Sequence, residues 1–225
     1  MKRILMIMLA AIPLLTAAQS RDWADYDRYA AANAQLTKAP EVIFMGNSIT
    51  DGWDDAHPEF FSDNNFACRG ISGQVSSQML CRFRADVINL HPRMVVILSG
   101  VNDLALNNGP IEMEHIVENI VSMVELARAA GIQPILCSAL PAGQFPWRPE
   151  ITGVAEKIRS LNERLRAYAN EQKIPWVDYY SAMATDDGSM RSDLTRDGVH
   201  PIRKGYDIME QVIAPVLGSG KPKKQ

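Results

Sequence analysis

The feature that most constrains this chain is a set of five short apolar runs without the alternation expected of a half-exposed strand. They lie at 41–45, 66–68, 94–98, 134–140 and 174–178. Near-continuous apolar runs are typical of parallel strands that are buried on both faces of a sheet. The run at 66–68 is the weakest of the five, since it holds only three residues. The pattern therefore predicts a parallel, fully covered sheet.

Between these runs, apolar residues recur every three or four positions, which is the period of an amphipathic helix. Such patterns cover 74–90, 111–130, 152–172 and 201–217. Gly131 is suited to ending the second helix, and Pro201 to the first position of the last one. Strand–helix alternation predicts a three-layer α/β/α sandwich with a five-stranded parallel sheet. At 225 residues, the chain has room for one such domain, which we place at 41–217.

The two ends of the chain are predicted to lie outside this domain. Residues 1–18 have the three parts of a secretory signal peptide: basic Lys2 and Arg3, an apolar run at 4–15, and small residues up to Ala18. A buried N-terminal strand or helix is the alternative. An amphipathic lead-in helix is expected within 19–40, at 21–36, and a flexible basic tail at 218–225. The leader predicts a periplasmic or secreted protein.

That leader carries no sign of a stable membrane anchor. Its apolar run is too short to span a bilayer comfortably, and no second stretch approaches about 18 apolar residues. No cysteine follows the run, so a lipoprotein anchor is not expected. We therefore predict no stable membrane insertion.

Charge and cysteine content narrow the classes of function. The chain has 23 Lys and Arg against 26 Asp and Glu, a net charge of −3. It therefore offers no basic surface for nucleic acid. Cys68, Cys81 and Cys137 lack zinc-site spacing, and we predict neither a metal nor a cofactor. Cys137 is expected to be buried, and a Cys68–Cys81 disulfide is an alternative to free thiols.

Polar residues that could take part in catalysis or binding follow the predicted strands. Three blocks, at 46–53, 69–74 and 100–103, directly follow a strand, and the fourth, at 197–201, ends the longer loop after the fifth strand. Ligands of parallel sheets bind at the carboxyl ends of the strands. These four blocks are therefore expected to meet at one edge of the sheet.

The four blocks, in this order, resemble those of the SGNH (GDSL-type) hydrolase family, including its platelet-activating-factor acetylhydrolase-like group. The family is named for a Ser, a Gly, an Asn and a His, which here are Ser48, Gly73, Asn102 and His200. Asp197 stands three residues before the histidine. The resemblance covers 41–217 and implies a flavodoxin-like sheet order.

Two positions depart from the family pattern. Members often have Asp where Asn47 stands, directly before the serine, and close members often have Asn where Cys68 stands. A neutral Asn can still form hydrogen bonds within the turn. The second departure is expected to loosen the second block.

The resemblance implies a catalytic triad of Ser48, Asp197 and His200. It also implies an oxyanion hole made by the backbone N–H groups of Ser48 and Gly73 and the side-chain amide of Asn102. The chemistry is consistent, because a serine hydroxyl needs an adjacent base and a developing oxyanion needs donors. Taken singly, Ser48 also suits a helix N-cap, and Asn102 suits an ordinary loop turn.

Candidate substrate-binding residues are aromatic or cationic side chains near these blocks. Trp53 follows the serine closely, while Phe145, Trp147 and Arg148 lie in the loop after the fourth strand. They could line or cover a cleft and hold a sugar or an acyl chain, although ordinary packing is the alternative. His57 is a weaker candidate for the cleft rim.

The sequence thus predicts a secreted serine esterase that hydrolyses short-acyl, in particular acetyl, esters on carbohydrate. A lysophospholipase or thioesterase using the same triad is the first alternative, because the triad does not select the leaving group. A non-catalytic binding module is the second. The expected partner of this protein is a small-molecule or glycan ester substrate.

Overall fold

The computed structural model describes residues 22–218. The predicted leader at 1–18 and most of the predicted tail lie outside the described residues. Within them, five strands form one sheet: β1 (Val42–Gly46), β2 (Phe66–Gly70), β3 (Met94–Ile97), β4 (Gln133–Cys137) and β5 (Trp176–Val177). Their order across the sheet is β2-β1-β3-β4-β5, and every neighbouring pair is parallel. The predicted fold class is confirmed.

Helices cover both faces of this sheet. They are α1 (Ala30–Ala34), α2 (Ser48–Ala56), α3 (Pro58–Ser62), α4 (Ser76–Asp86), α5 (Val101–Leu104), α6 (Met113–Ala129), α7 (Val154–Glu171), α8 (Tyr179–Met183) and α9 (Arg203–Gly218). On one face α4 packs on α6 and α6 on α7, while on the other α2 and α8 pack on α9. All residues of β1 and β3 are buried, which explains their unbroken apolar sequence.

The strand order places the switch point of the sheet between β1 and β3. The chain moves from β1 outward to β2 on one side, and then returns to β3 on the other. Connections leave in opposite directions at such a point and open a crevice at the carboxyl ends of the strands. Gly46 and Gly70 pair in register at the ends of β1 and β2. The blocks that follow these strands are thereby brought together.

Several element boundaries differ from those predicted. The lead-in segment is helical only over the five residues of α1 and otherwise consists of turns. Strand β5 is shorter than 174–178, because it is an edge strand that Asp178 ends by capping α8. Pro201 does not start the last helix. It forms a β-bridge with Thr195, and α9 begins two residues later.

The cysteines are all free. Cys68 and Cys137 are buried, whereas Cys81 is exposed on α4. The alternative of a Cys68–Cys81 disulfide is therefore wrong. Burial raises the pKa of the Cys68 thiol to about 12, and this thiol lies 3.3 Å from the carbonyl oxygen of Thr50.

Candidate active site

The turn between β1 and α2 presents Ser48 at the start of a helix. Asn47 is the N-cap, since its Oδ1 accepts a hydrogen bond from the backbone N–H of Ile49 at 3.1 Å. Ser48 is thus the first helical residue rather than the cap. The turn is tight: a Cβ at Gly46 would lie 1.9 Å from Oγ1 of Thr50. Peptide dipoles at a helix N-terminus favour negative charge there.

The Ser48 hydroxyl lies against the ring of His200. Ser48 Oγ is 3.0 Å from His200 Nε2, although the two residues are 152 positions apart in the chain. On the other side of the ring, His200 Nδ1 is 2.6 Å from Asp197 Oδ2. An imidazole that donates from Nδ1 to a carboxylate presents Nε2 as a base to the hydroxyl.

The turn that carries Asp197 and His200 is closed by hydrogen bonds between side chains and the backbone. Oδ1 of Asp197 accepts from the N–H groups of Val199 at 2.9 Å and His200 at 2.8 Å. Thr195 Oγ1 donates to the carbonyl of His200 at 2.7 Å and accepts from the N–H of Gly198 at 3.1 Å. Gly198 has a φ of +84°, which favours glycine. The turn therefore holds Asp197 and His200 in a fixed position relative to each other.

The same contacts control the charge of Asp197. Partial burial acts to raise its pKa, but the hydrogen bonds from the His200 ring and from the N–H groups of His200 and Val199 outweigh it. The pKa of Asp197 is lowered to about 2. The carboxyl is therefore an anion at neutral pH and keeps the Nδ1 proton of His200 in place.

The predicted oxyanion donors come from three strand ends. Gly73 has a φ of +82° and nothing within 4 Å of the position that a Cβ would take. Asn102 is buried, and its Nδ2 donates to the carbonyl of Gln74 at 3.0 Å. An amide nitrogen carries two hydrogens, so a second one is available to an oxyanion.

Asp103, beside Asn102, has a structural contact rather than a place in the cleft. Its buried carboxylate accepts hydrogen bonds from the backbone N–H of Ser76 at 2.9 Å and the Ser76 hydroxyl at 2.6 Å. Burial raises the pKa of Asp103 above its ordinary value, while these two bonds oppose the rise. The contact ties the start of α4 to the turn that carries Asn102.

Ser48, Asp197 and His200 open into a cleft of about 630 Å³ that has several charged side chains in its lining. Its lining consists of Ser48, Asp51, Gly52, Asp55, Ala56, Ser72, Arg196, Asp197, His200, Pro201, Ile202, Arg203 and Tyr206. One wall is the face of α2 that follows the serine. Ser72 Oγ donates to Asp51 there at 2.8 Å, which joins α2 to the block after β2.

Two of the predicted substrate-binding residues are buried instead. Trp53 is 1% exposed, because it packs against Phe44 and Phe60 and donates from Nε1 to Glu210. Phe145 is 0% exposed. The prediction that these two line the cleft is wrong, and the packing alternative holds for both.

Trp147 and Arg148 have different surroundings. Trp147 is 39% exposed, and its ring centroid is 5.9 Å from that of His200. Its Nε1 donates to Asn107 Oδ1 at 3.0 Å. Arg148 donates to Glu150 and to the carbonyl of Leu106, so it anchors the loop.

His57 lies away from the cleft lining. It is buried, and its Nδ1 is 2.7 Å from Oε1 of Glu210, the carboxylate that also accepts from Trp53. The weaker hypothesis that His57 forms the cleft rim is therefore wrong.

Two residues near the site escaped the sequence-based prediction. Thr195 was missed because its role depends on which backbone groups the turn brings to its hydroxyl. Asn107 was missed because its partner, Trp147, is 40 positions away. A threonine two residues before the aspartate of a DxxH block was the available signal for the first.

Residues 22–218 contain neither a membrane-spanning helix nor a cluster of metal ligands. No helix there is long and apolar enough to cross a membrane. Nor do its His, Cys, Asp and Glu side chains form a group of three that could hold a metal ion.

The chain is similar to known proteins in both sequence and structure. The family model described as GDSL-like Lipase/Acylhydrolase family matches residues 44–208. A GDSL-like lipase from Bacteroides thetaiotaomicron has a similar crystal structure, with 49% identity and a TM-score of 0.86 over 88% of this chain and 99% of that one.

Two curated relatives are more distant. An isoamyl acetate-hydrolyzing esterase of Saccharomyces cerevisiae is 24% identical over 216 residues, covering 88% of this chain and 89% of its own. Esterase TesA of Pseudomonas aeruginosa is 24% identical over 196 residues, covering 81% and 90%.

Proposed function

The chain belongs to the GDSL-like lipase/acylhydrolase family and is a carboxylic ester hydrolase, and from that premise we propose that it is a secreted serine esterase for short-acyl, in particular acetyl, esters of carbohydrates. The observation that carries the proposal is the hydrogen-bonded series Ser48 Oγ, His200 ring and Asp197 carboxylate, with separations of 3.0 and 2.6 Å. These are the contacts that a hydroxyl needs in order to lose its proton as it attacks.

In the first half of the reaction, Ser48 Oγ attacks the ester carbonyl carbon while its proton passes to His200 Nε2. The carbonyl π electrons move to oxygen, and the oxyanion accepts hydrogen bonds from the N–H groups of Ser48 and Gly73 and from Asn102 Nδ2. The C–O bond to the alcohol then breaks, and the alcohol leaves with the proton from Nε2. Ser48 is left as an acyl ester.

In the second half, water replaces the alcohol. His200 Nε2 takes a proton from the water as its oxygen attacks the acyl carbon. Collapse of the second tetrahedral intermediate breaks the bond to Ser48 Oγ, which recovers its proton from Nε2. The ionised Asp197 stabilises the imidazolium that forms twice in the cycle.

The residues around the cleft support the proposal that the substrate has a small acyl group and a polar alcohol. Charged side chains stand on both of its walls, with Asp51 and Asp55 on α2 and Arg196 and Arg203 on the facing segment. Such walls suit a hydroxyl-rich alcohol better than a long alkyl chain. Trp147, exposed beside His200, adds a flat apolar face of the kind on which sugar rings pack. The yeast relative is named for an acetate ester.

Secretion is proposed from the leader at 1–18, whose basic start, apolar run and small residues suit export. An enzyme outside the cytoplasm meets external glycans, which fits an ester of carbohydrate as substrate.

The proposal is tested by comparing 4-nitrophenyl acetate, butyrate and octanoate, followed by acetylated xylan and acetylated monosaccharides. We expect kcat/KM to be highest for acetate, acetate release from at least one acetylated sugar, and neither reaction with Ser48→Ala. The Trp147→Ala variant should raise KM for the sugar ester more than for 4-nitrophenyl acetate. A preference for octanoate, or hydrolysis of lysophospholipid or acyl-thioester alone, would favour the alternative acylhydrolases.

A further inference from the structure

Helix α4 buries a charged residue beside the strand ends that lead into the proposed catalytic residues. Arg82 is 0% exposed and lies on the same helix face as Met79 and Phe83. Its guanidinium donates four hydrogen bonds of 3.1 Å or less. Four of its five N–H groups are thus used in the interior of the protein. None of its partners belongs to the triad, so the mechanism above makes no direct use of it.

Two of these bonds join the strands that lead into the site. One terminal nitrogen, Nη2, donates to the carbonyl of Gly46 at 3.1 Å and to the carbonyl of Arg69 at 2.9 Å. Gly46 ends β1 two residues before Ser48, and Arg69 is next to last in β2. A single nitrogen therefore holds the ends of both strands.

The other side of the guanidinium contacts Gln74, which links it to the remaining two donors. Arg82 Nε donates to the side-chain oxygen of Gln74 at 2.6 Å. Gln74 directly follows Gly73, and its backbone carbonyl accepts from Asn102 Nδ2 at 3.0 Å. Each of the three proposed oxyanion donors thus lies within two residues of, or is hydrogen-bonded to, a residue that Arg82 contacts.

A neighbouring carboxylate balances the buried charge. Arg82 Nη1 donates to Asp86 Oδ2 at 2.9 Å, and that carboxylate is also almost fully buried. Asn33 of α1 donates to its other oxygen at 2.8 Å. Burial lowers the pKa of the Arg82 guanidinium, and the contact with Asp86 counters the shift. The ion pair thereby allows a planar, multidentate donor to be kept in the interior.

We propose that Arg82 is a positioning residue for the oxyanion hole, which sets the relative placement of the Ser48, Gly73 and Asn102 donors through the Gly46 and Arg69 carbonyls and the Gln74 side chain. This rests on the proposed serine esterase function. It predicts that a loss of Arg82 acts on the transition state, where these donors bind charge, more than on the binding of the ester.

The test is Arg82→Lys, which keeps the charge but cannot hold partners on both sides of a fork. With 4-nitrophenyl acetate, we expect kcat to fall roughly 10- to 100-fold, as for small misplacements of catalytic groups, and KM to change less than about threefold. Turnover is expressed per serine titrated with an organophosphate, so that unfolded protein does not count. Arg84→Lys, an exposed change two residues along α4, should match wild type.

A double-mutant cycle separates positioning from plain stability. If Arg82 acts through the oxyanion donors, Arg82→Lys should lower kcat much less in an Asn102→Ala background than in wild type. Equal fold-losses in the two backgrounds, or an unchanged kcat per titrated serine, would overturn the proposal. Should Arg82→Lys fail to fold, Gln74→Ala removes the Nε partner together with the bond from Gln74 to the Ala24 carbonyl, while the Gly46 and Arg69 contacts of Arg82 remain. This variant is expected to show the same split in kcat and KM.

Hydrogen exchange gives a readout that does not depend on activity. Arg82→Lys should speed amide exchange in 46–52 and 70–76 while leaving α7 at its wild-type rate. Uniform acceleration, or none in those two segments, would contradict positioning. If Ser48→Ala kept full activity, the serine esterase proposal would fail even where this exchange pattern appeared, so the two failures are distinguishable.

Discussion

At the scale of single residues, the hydroxyl of Thr195 closes the turn that carries Asp197 and His200. It bonds to the His200 carbonyl and to the Gly198 N–H, and the residue is almost fully buried. Sequence patterns identified the aspartate and the histidine but not this support. Which groups a hydroxyl contacts is decided by the folded turn and not by residue spacing.

Replacing Thr195 with Val removes the hydroxyl and keeps the shape of the side chain. We expect kcat on a small acetate ester to fall by roughly tenfold, since the imidazole is held less well, with KM little changed. Thr195→Ser retains the hydroxyl and should keep most of the activity. Steady-state kinetics of the two variants check this; equal losses in both would argue that the methyl group, and not the hydrogen bonds, matters.

Asp197 links the site to the stability of the fold. Its pKa of about 2 lies below the ordinary 3.8. A carboxyl with a lowered folded-state pKa stabilises the fold above its unfolded-state pKa, and the contribution disappears as pH falls through the folded value. The unfolding free energy of wild type should therefore exceed that of Asp197→Asn by a constant amount above about pH 5, and the difference should shrink between about pH 4 and 2.

Urea unfolding at several pH values measures this difference. Asp186→Asn is the matched control, since Asp186 is exposed and no hydrogen-bond partner contacts it within the described chain. A difference for Asp197→Asn that stays the same down to pH 3 or grows on acidification would show that its carboxylate is not held by these bonds.

At the scale of elements, the segment before β1 differs most from its prediction. A lead-in helix was expected over 21–36, but only the five residues of α1 are helical. Residues 22–36 lie across α4 and the block after β2 through side-chain bonds. Tyr29 donates to the Gly70 carbonyl, and the side chain of Gln74 donates to the Ala24 carbonyl at 2.8 Å. The segment is therefore part of the support for the oxyanion block.

Tyr29→Phe tests that support while keeping the ring, which packs beneath Arg69. Loss of the buried hydrogen bond should lower the free energy of unfolding by about 1–3 kcal/mol. Tyr26→Phe is the matched control, because Tyr26 is 45% exposed and donates to the Cys81 carbonyl; its change should stay within about 0.5 kcal/mol. Thermal or urea unfolding of both variants measures these changes in the free energy of unfolding. Equal changes would indicate that the segment does not brace Gly70.

The main elements were predictable because each carries its own period. The strands read as apolar runs since both faces are covered, and α6 and α7 read as amphipathic helices. The predictions that were wrong concern features that depend on tertiary packing. Trp53 and Phe145 looked suited to a cleft, yet each is apolar enough to fill the core. Arg82 and Asp86 are spaced i, i+4 on an apolar helix face. This spacing indicates a buried ion pair, which was not predicted.

At the scale of the whole molecule, the sheet order explains why distant blocks meet. The switch point between β1 and β3 brings Ser48 and Asn102 to adjacent strand ends, while α9 returns the chain to α2. The family resemblance identified the four blocks, and the parallel-strand rule predicted the edge at which they meet. The cleft walls could not be predicted, since they combine α2 with the segment before α9.

The proposed export depends on residues 1–18. If residues 1–18 are a signal peptide, expression in a bacterial host should yield a mature protein that begins near Gln19 in the periplasmic or medium fraction. Intact mass measurement with fractionation checks this, and Ala18→Arg should block cleavage. Recovery of a chain that starts at Met1 in the cytoplasm alone would contradict the proposal.

The central claim is that Ser48, activated by His200, is the nucleophile of an ester hydrolase. The most direct measurement is covalent labelling with a fluorophosphonate, followed by intact mass and peptide mapping, with residual activity on 4-nitrophenyl acetate recorded in parallel. We expect one adduct per chain, located at Ser48, with activity lost in proportion to labelling, and a folded Ser48→Ala variant that is neither labelled nor active. An adduct on a different serine, or hydrolysis that persists in Ser48→Ala, would contradict it.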